Sequence, residues 1–380
     1  EARVGELEAT QFTTTTKLKG VSHWVFGAAS FSGDGSEAKD RAQGGTSFSY
    51  NLALNLETSF TGEDLLYTRL RSGNVSGVYG DIFGQEYAFD SSNSVKIARL
   101  YYSFPVGDFT VVGGPRIRMD DMLAVWPSAY PSDMTYDFFT YAGSPGTYNL
   151  AMGGGAGVYY TTGDWSISTS YLSSDAQDSN STTGGVMTEG AASSATTQVA
   201  YAPENWGVAV AYTYASGKNG AGNLYAASAT SAAAAASAAG NVNSYGVSGW
   251  WVPEESGWVP SISAGFGQSF IDSEAKATDY DYESTSWYIG FEWDDAFIDG
   301  NSLGFAVGQP TWVSKTDGSD APADSEDDPG FAYELFYKFQ VTDNITVTPA
   351  LTYLSKPYSN SATLNEVNAF SGLVKTTFKF

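Results

Sequence analysis

Apolar and polar positions alternate at a period of two along much of this chain, in short runs separated by turn-forming or low-complexity stretches. In IARLYYSF, Ala98, Leu100, Tyr102 and Phe104 form one set and Arg99, Tyr101 and Ser103 the other. At the end of the chain Phe370, Gly372, Val374, Thr376, Phe378 and Phe380 alternate with Ser371, Leu373, Lys375, Thr377 and Lys379. Side chains two apart share one face of a strand, so each run predicts a strand with one apolar and one polar face. About sixteen are predicted, roughly at 18–31, 46–60, 64–73, 93–104, 108–118, 152–162, 164–173, 195–203, 206–216, 243–253, 258–270, 284–294, 301–312, 330–342, 344–354 and 368–380.

The joints between these strands sort by length. Short ones such as TGED (61–64), PVGD (105–108), PEN (203–205) and TDN (342–344) alternate with long ones such as 74–92, 119–151, 217–242 and 313–329. Strict alternation of short turns and long loops predicts an all-β protein, an antiparallel up-and-down transmembrane barrel of about sixteen strands. Its short turns face the periplasm and its long loops the outside. The apolar set then lies against outer-membrane lipid, and Phe378 and Phe380 form a terminal aromatic signal for membrane insertion.

Composition narrows the class. Glycine (42 residues) and aromatics (15 %) are frequent and charged residues are only 16 %, which suits pleated strands and tight turns. There is no cysteine, so thiol chemistry and Cys-based metal sites are excluded. A net charge of −24 argues against nucleic acid as a partner. No metal-ligand spacing or cofactor motif is present, and neither a metal nor a cofactor is expected. His23, the single histidine, has no second catalytic group beside it and is expected in the lumen, so no enzyme activity is expected.

Against this acidic background LLYTRLRSG (65–73) stands out. Arg69 and Arg71 share one face, and Arg99, Arg116 and Arg118 follow on the next two predicted strands. Counted from their turns Arg69, Arg99 and Arg116 fall between mid-height and the upper third of a strand that needs about 9–11 residues to cross, with Arg71 and Arg118 just above them. They are expected to form one cationic inner wall, whose permanent charge and planar donor fork suit anionic or hydroxylated solutes.

The stretches TSFTGEDLLYTRLRSGN (58–74), LEATQFTTTTKLKG (7–20) and LVKTTFKF (373–380) resemble cyanobacterial members of the carbohydrate-selective porin family. The resemblance implies an outer-membrane porin, a homotrimer, whose third external loop folds into the barrel. Such proteins carry a surface-layer-homology domain and a helical segment ahead of the barrel. Residues 1–12 are read as a remnant of that segment, residues 13–380 as the barrel, and the export signal as already removed.

The third loop, MDDMLAVWPSAYPSDMTYDFFTYAGSPGTYNLA, carries Asp120, Asp121, Asp133 and Asp137 as its charges. Some thirty residues without periodicity imply a functional or disordered segment, and the aromatics favour a packed one. Folded inward, it brings its carboxylates to flank or face the arginine wall, and the expected function is passive diffusion of ions and small polar solutes. A rival reading is a surface β-barrel adhesin or receptor whose acidic loops bind partners. Those loops, with Asp324, Glu326, Asp327 and Asp328 in one of them, lack an ordered ligand pattern and are read as solvated rather than calcium-binding. The Ala-rich segment 223–241 leaves a short loop helix and a mobile flap equally open.

Overall fold

The computed structural model describes residues 15–75, 84–132, 136–217, 229–237, 240–255, 257–272, 280–318, 330–358, 361 and 363–380. Sixteen strands are found. They are β1 (Thr15–Ser32), β2 (Ser47–Ser59), β3 (Leu65–Gly73), β4 (Lys96–Val106), β5 (Phe109–Arg118), β6 (Met152–Thr162), β7 (Trp165–Ser173) and β8 (Ser193–Tyr201). The second half holds β9 (Trp206–Ala215), β10 (Asn241–Trp251), β11 (Ser261–Asp272), β12 (Tyr280–Asp294), β13 (Ser302–Gly318), β14 (Ala332–Thr342), β15 (Ile345–Leu354) and β16 (Asn368–Lys379). Two short helices, α1 (Ser36–Gln43) and α2 (Ser231–Ser237), lie in long loops. The Ala-rich stretch thus contains a helix.

Each strand pairs antiparallel with its sequence neighbours, and β16 pairs with β1, from Val21↔Lys379 to Ser32↔Asn368, so the barrel is closed. The period-two pattern becomes a lipid face and a lumen face. In β16, Phe370 is 45 % exposed while Lys375 is 1 % exposed, and the same alternation runs through β7, β8 and β9. Closure removes every unpaired edge, which a lipid-embedded sheet requires.

Local chemistry fixes the turns. In TGED, Asp64 accepts the backbone N–H groups of Phe60 (2.9 Å) and Thr61 (2.7 Å), the Ser59 hydroxyl and the Tyr102 phenol (2.6 Å). Shielding from water works to raise the pKa of this carboxyl, but these bonds hold it well below the usual carboxylate range.

The structure departs from the expected strands mainly at β12 and β13, which run longer than the patterning indicates. They pair from Asp294↔Ser302 out to Tyr280↔Gly318, so parts of the expected loops 271–283 and 313–329 are strand. The outer end of this hairpin carries polar and charged residues, with Lys315 bonded to Glu283 and Asp317, so apolar alternation could not reveal it.

A second departure lies in β5. Unbroken alternation would put Ile117 on the lipid face with Val111 and Gly113, but it is fully buried beside Met119, Met122 and Tyr141. A bulge between Gly114 and Ile117 inserts one residue beside Pro115, and the extra residue reverses the facing of Arg116 and Ile117, while Arg118, at the strand end, turns with the loop base.

Candidate functional site

The five arginines are not equivalent in the fold. Arg69 and Arg99 are register partners on β3 and β4, and Arg71 pairs with Lys96 across a bulge at Ala98. Arg99 and Arg118 meet the base of the third loop. Arg99 donates from Nε to Asp121 at 2.8 Å, and the same carboxylate accepts the Arg118 backbone N–H at 2.9 Å. The Arg118 guanidinium grips Asp120 with two parallel hydrogen bonds. Asp120 and Asp121 therefore flank the arginines on their own wall. Removing one partner of so enclosed a pair is strongly destabilising, by about 3–5 kcal/mol.

Arg71 has no carboxylate partner among the described residues. Its Nε reaches Asn51 at 3.4 Å, its Nη2 reaches the Tyr87 carbonyl at 3.3 Å, and the guanidinium lies 4.4 Å from the centre of the Phe89 ring. Arg69 forms no ion pair among the described residues, and its Nε is a buried donor without a partner there. Arg116 borders the same region but follows the bulge. It is exposed, and its register partner is Leu100, which shares a face with Thr68 rather than with Arg69.

The second external loop supplies residues that the sequence did not single out. Gln85, Glu86, Ala88 and Phe89 line a cavity of about 450 Å³ together with Arg71, Arg99, Arg118, Asp137 and Tyr141. The two loops are joined: the Asp137 N–H donates to the Gly84 carbonyl at 2.8 Å, and Thr140 Oγ1 donates to Glu86 at 3.3 Å. Burial, with the Asp137 carboxylate next to it, pushes the Glu86 carboxyl well above its ordinary range. Asp137 also accepts the Tyr141 hydroxyl at 2.8 Å. Asp133 lies outside the described residues, as do Asp324, Glu326, Asp327 and Asp328.

From its base the third loop makes contacts around the barrel. Ala124 N–H donates to Ser168 on β7, Tyr130 N–H to Ser263 on β11, and Tyr136 N–H to Glu334 on β14. Gln198, Thr213 and Ser286 donate to Tyr148, Thr147 and Gly143 of the loop. Its rings Tyr130, Tyr136, Phe138 and Phe139 are buried in one cluster with Tyr288 and Phe336. Close approach depends on glycine: a Cβ on Gly265 would stand 1.8 Å from the Ala142 carbonyl oxygen. Gly143, at φ 74°, takes a backbone conformation that other residues rarely adopt.

His23 is on the inner face. Its Nδ1 is 2.9 Å from the Thr377 hydroxyl, and its ring centre is 5.7 Å from that of Tyr87. At the same end of β16, Phe378 contacts Trp24 at 4.9 Å between ring centres, and Phe380 is 64 % exposed while its backbone pairs with Gly20.

The closed sixteen-strand barrel thus holds a charged cavity bounded by its inner wall and two loops. The model of the "Carbohydrate-selective porin, OprB family" matches residues 1–380. The chain belongs to this family. As an OprB-family porin it is an outer-membrane protein. It is 30 % identical to an uncharacterised protein of Nostoc, over all of this chain and 68 % of that one. An uncharacterised protein of Synechocystis is 28 % identical, over all of this chain and 72 % of that protein. Among solved structures the high-pH form of Pseudomonas putida OprB is similar, with a TM-score of 0.59 and 14 % identity over 99 % of this chain and 96 % of that one. The anion-selective porin of Comamonas acidovorans gives a TM-score of 0.61 at 10 % identity, covering 97 % of this chain and all of that one. A trimer form of Vibrio cholerae OmpT gives 0.60 at 8 %, covering 97 % and 99 %. At such identities these structures bear on the fold alone.

Proposed function

We propose that this porin forms a water-filled channel for passive diffusion of ions and small polar solutes, narrowed where the β3–β5 arginines meet the second and third loops. The observation that carries the reading is the cavity of about 450 Å³ bordered by Arg71, Arg99, Arg118, Glu86 and Asp137. Guanidinium groups on one side and carboxyls on another impose a transverse field, which orients water and polar solutes and penalises apolar ones. Selectivity is then set by charge and bore. Charges farther than a Debye length of about 8 Å from the cavity act weakly at physiological ionic strength. A homotrimer is the proposed assembly.

The test is reconstitution of purified protein into planar bilayers. Stepwise conductance in KCl is expected, and the size of the step should change when Arg71 or Glu86 is replaced by Gln. A barrel that inserts but gives no steps would leave the adhesin reading in its place.

A further inference from the structure

Positive charge is sorted around the barrel. Seven consecutive strands, β6 to β12, contain no Lys or Arg at all, and their buried inward positions are largely Ser, Thr and Gly. The third loop docks mainly on this half: Ser168, Gln198, Thr213, Ser263 and Ser286, five of its hydrogen-bond partners, lie on those strands, and Glu334 of β14 is a further partner outside them. The other half, continuous because β16 closes on β1, holds the cations.

On that half several charges are neutralised in place. Lys19 pairs with Glu57 at 2.7 Å, Lys338 with Glu292 at 4.0 Å, Arg99 with Asp121, and Arg118 with Asp120. Lys17, Arg69, Arg71, Lys96 and Lys379 form no ion pair among the described residues. Their inward facing follows from register. Lys96 pairs with Arg71, Arg71 with Ala53, Ala53 with Val21, and Val21 with Lys379, so these three cations lie on one row of the sheet. Arg69 lies two residues from Arg71 on the same face, about 7 Å along the strand. That spacing is below a Debye length of about 8 Å, so neighbouring fields overlap.

Resting on the porin reading, we propose that the open passage follows this half-wall and that its preferred solutes are small inorganic anions, passed along the unpaired cations of β16, β1, β3 and β4. At Arg69, Arg71 and Lys96 each site replaces part of an anion's hydration without holding it, because the next cation is within reach, and conduction needs such weak, repeated sites. Glu86 and Asp137 face the cavity from the loops, engaged with Thr140 and Tyr141, and they oppose this preference. With Arg99 and Arg118 paired, Arg71 stands against these two carboxyls at the cavity, and Lys17, Arg69, Lys96 and Lys379 along the same wall make the cations more numerous.

The experiment is reversal potential across bilayers in a KCl gradient, repeated with potassium phosphate. The unsubstituted channel should favour chloride over potassium. Arg69→Gln, Arg71→Gln and Lys96→Gln together should lower the chloride-to-potassium ratio severalfold while steps persist. Arg69→Lys with Arg71→Lys should retain it, and Lys17→Gln with Lys379→Gln at the periplasmic end gives an independent pair with the same expected direction. Lys356→Gln in the last external loop should change nothing. A cation-preferring wild type, or a ratio unmoved in both Gln sets, overturns the proposal while the channel itself stands. If the unsubstituted protein gives no steps, the porin reading falls and takes this one with it.

Discussion

Glu86 shows how one side chain can tie the pore's charge to pH. Its carboxyl is held well above the ordinary range by burial and by the Asp137 carboxylate beside it, so it keeps its proton at pH values where exposed carboxyls have lost theirs. Raising the pH through that raised value adds a negative charge to the cavity, so preference for anions should fall as pH rises. A reversal-potential series against pH in the wild type and in Glu86→Gln checks this, and the variant should show no such fall. Arg99 makes a second case. Arg99→Gln strands Asp121 in a site where its side chain is 16 % exposed, and should lower the thermal midpoint of heat-modifiable gel mobility; adding Asp121→Asn should recover part of the loss. The clustering of the arginines was legible because Arg is so scarce in the chain. The partners of Arg99 and Arg118 were not, because whether a loop carboxylate pairs with the wall beside it or stands across a passage depends on backbone course. Glu86 gave no signal, since one acid in a long polar loop looks like any other.

Among the elements, strands were legible and loop seats were not. Each lipid-facing residue leaves a period-two trace, so β1 to β16 could be placed within a few residues, save where the β12–β13 hairpin becomes polar on both faces. The seat of the third loop is written in glycines on inward parity, Gly246, Gly265, Gly267, Gly290 and Gly308, which alternation alone treats as gaps. Gly265→Val should therefore push the Ala142–Gly143 segment off β11 and change single-channel conductance while leaving barrel assembly intact; an unchanged conductance would argue that this segment does not border the passage. Orientation is testable at the same scale. A tag after Met187, in the long connection between β7 and β8, should be reached by antibody on intact cells. One after Phe297, in the short β12–β13 turn, should not.

For the whole molecule, the contacts that matter most join the two ends of the chain. His23 meets Thr377 across 354 residues, and the backbone of Phe380 pairs with Gly20. Deleting Phe380 should lower the yield of assembled barrel in the outer membrane far more than Lys379→Gln, measured as heat-modifiable protein, because it removes both that pairing and an exposed aromatic ring. This closure also sets the timing of biogenesis. A chain synthesised from its amino end makes β1 first and must carry it with an open edge until β16 exists, so its long-range pairing is slow and needs escort against pairing with the wrong partner. The same delay is a safeguard. A message cut short or a nascent chain released early lacks the strand that seals the ring, so truncated products cannot puncture the envelope, and only a finished polypeptide opens a hole in it.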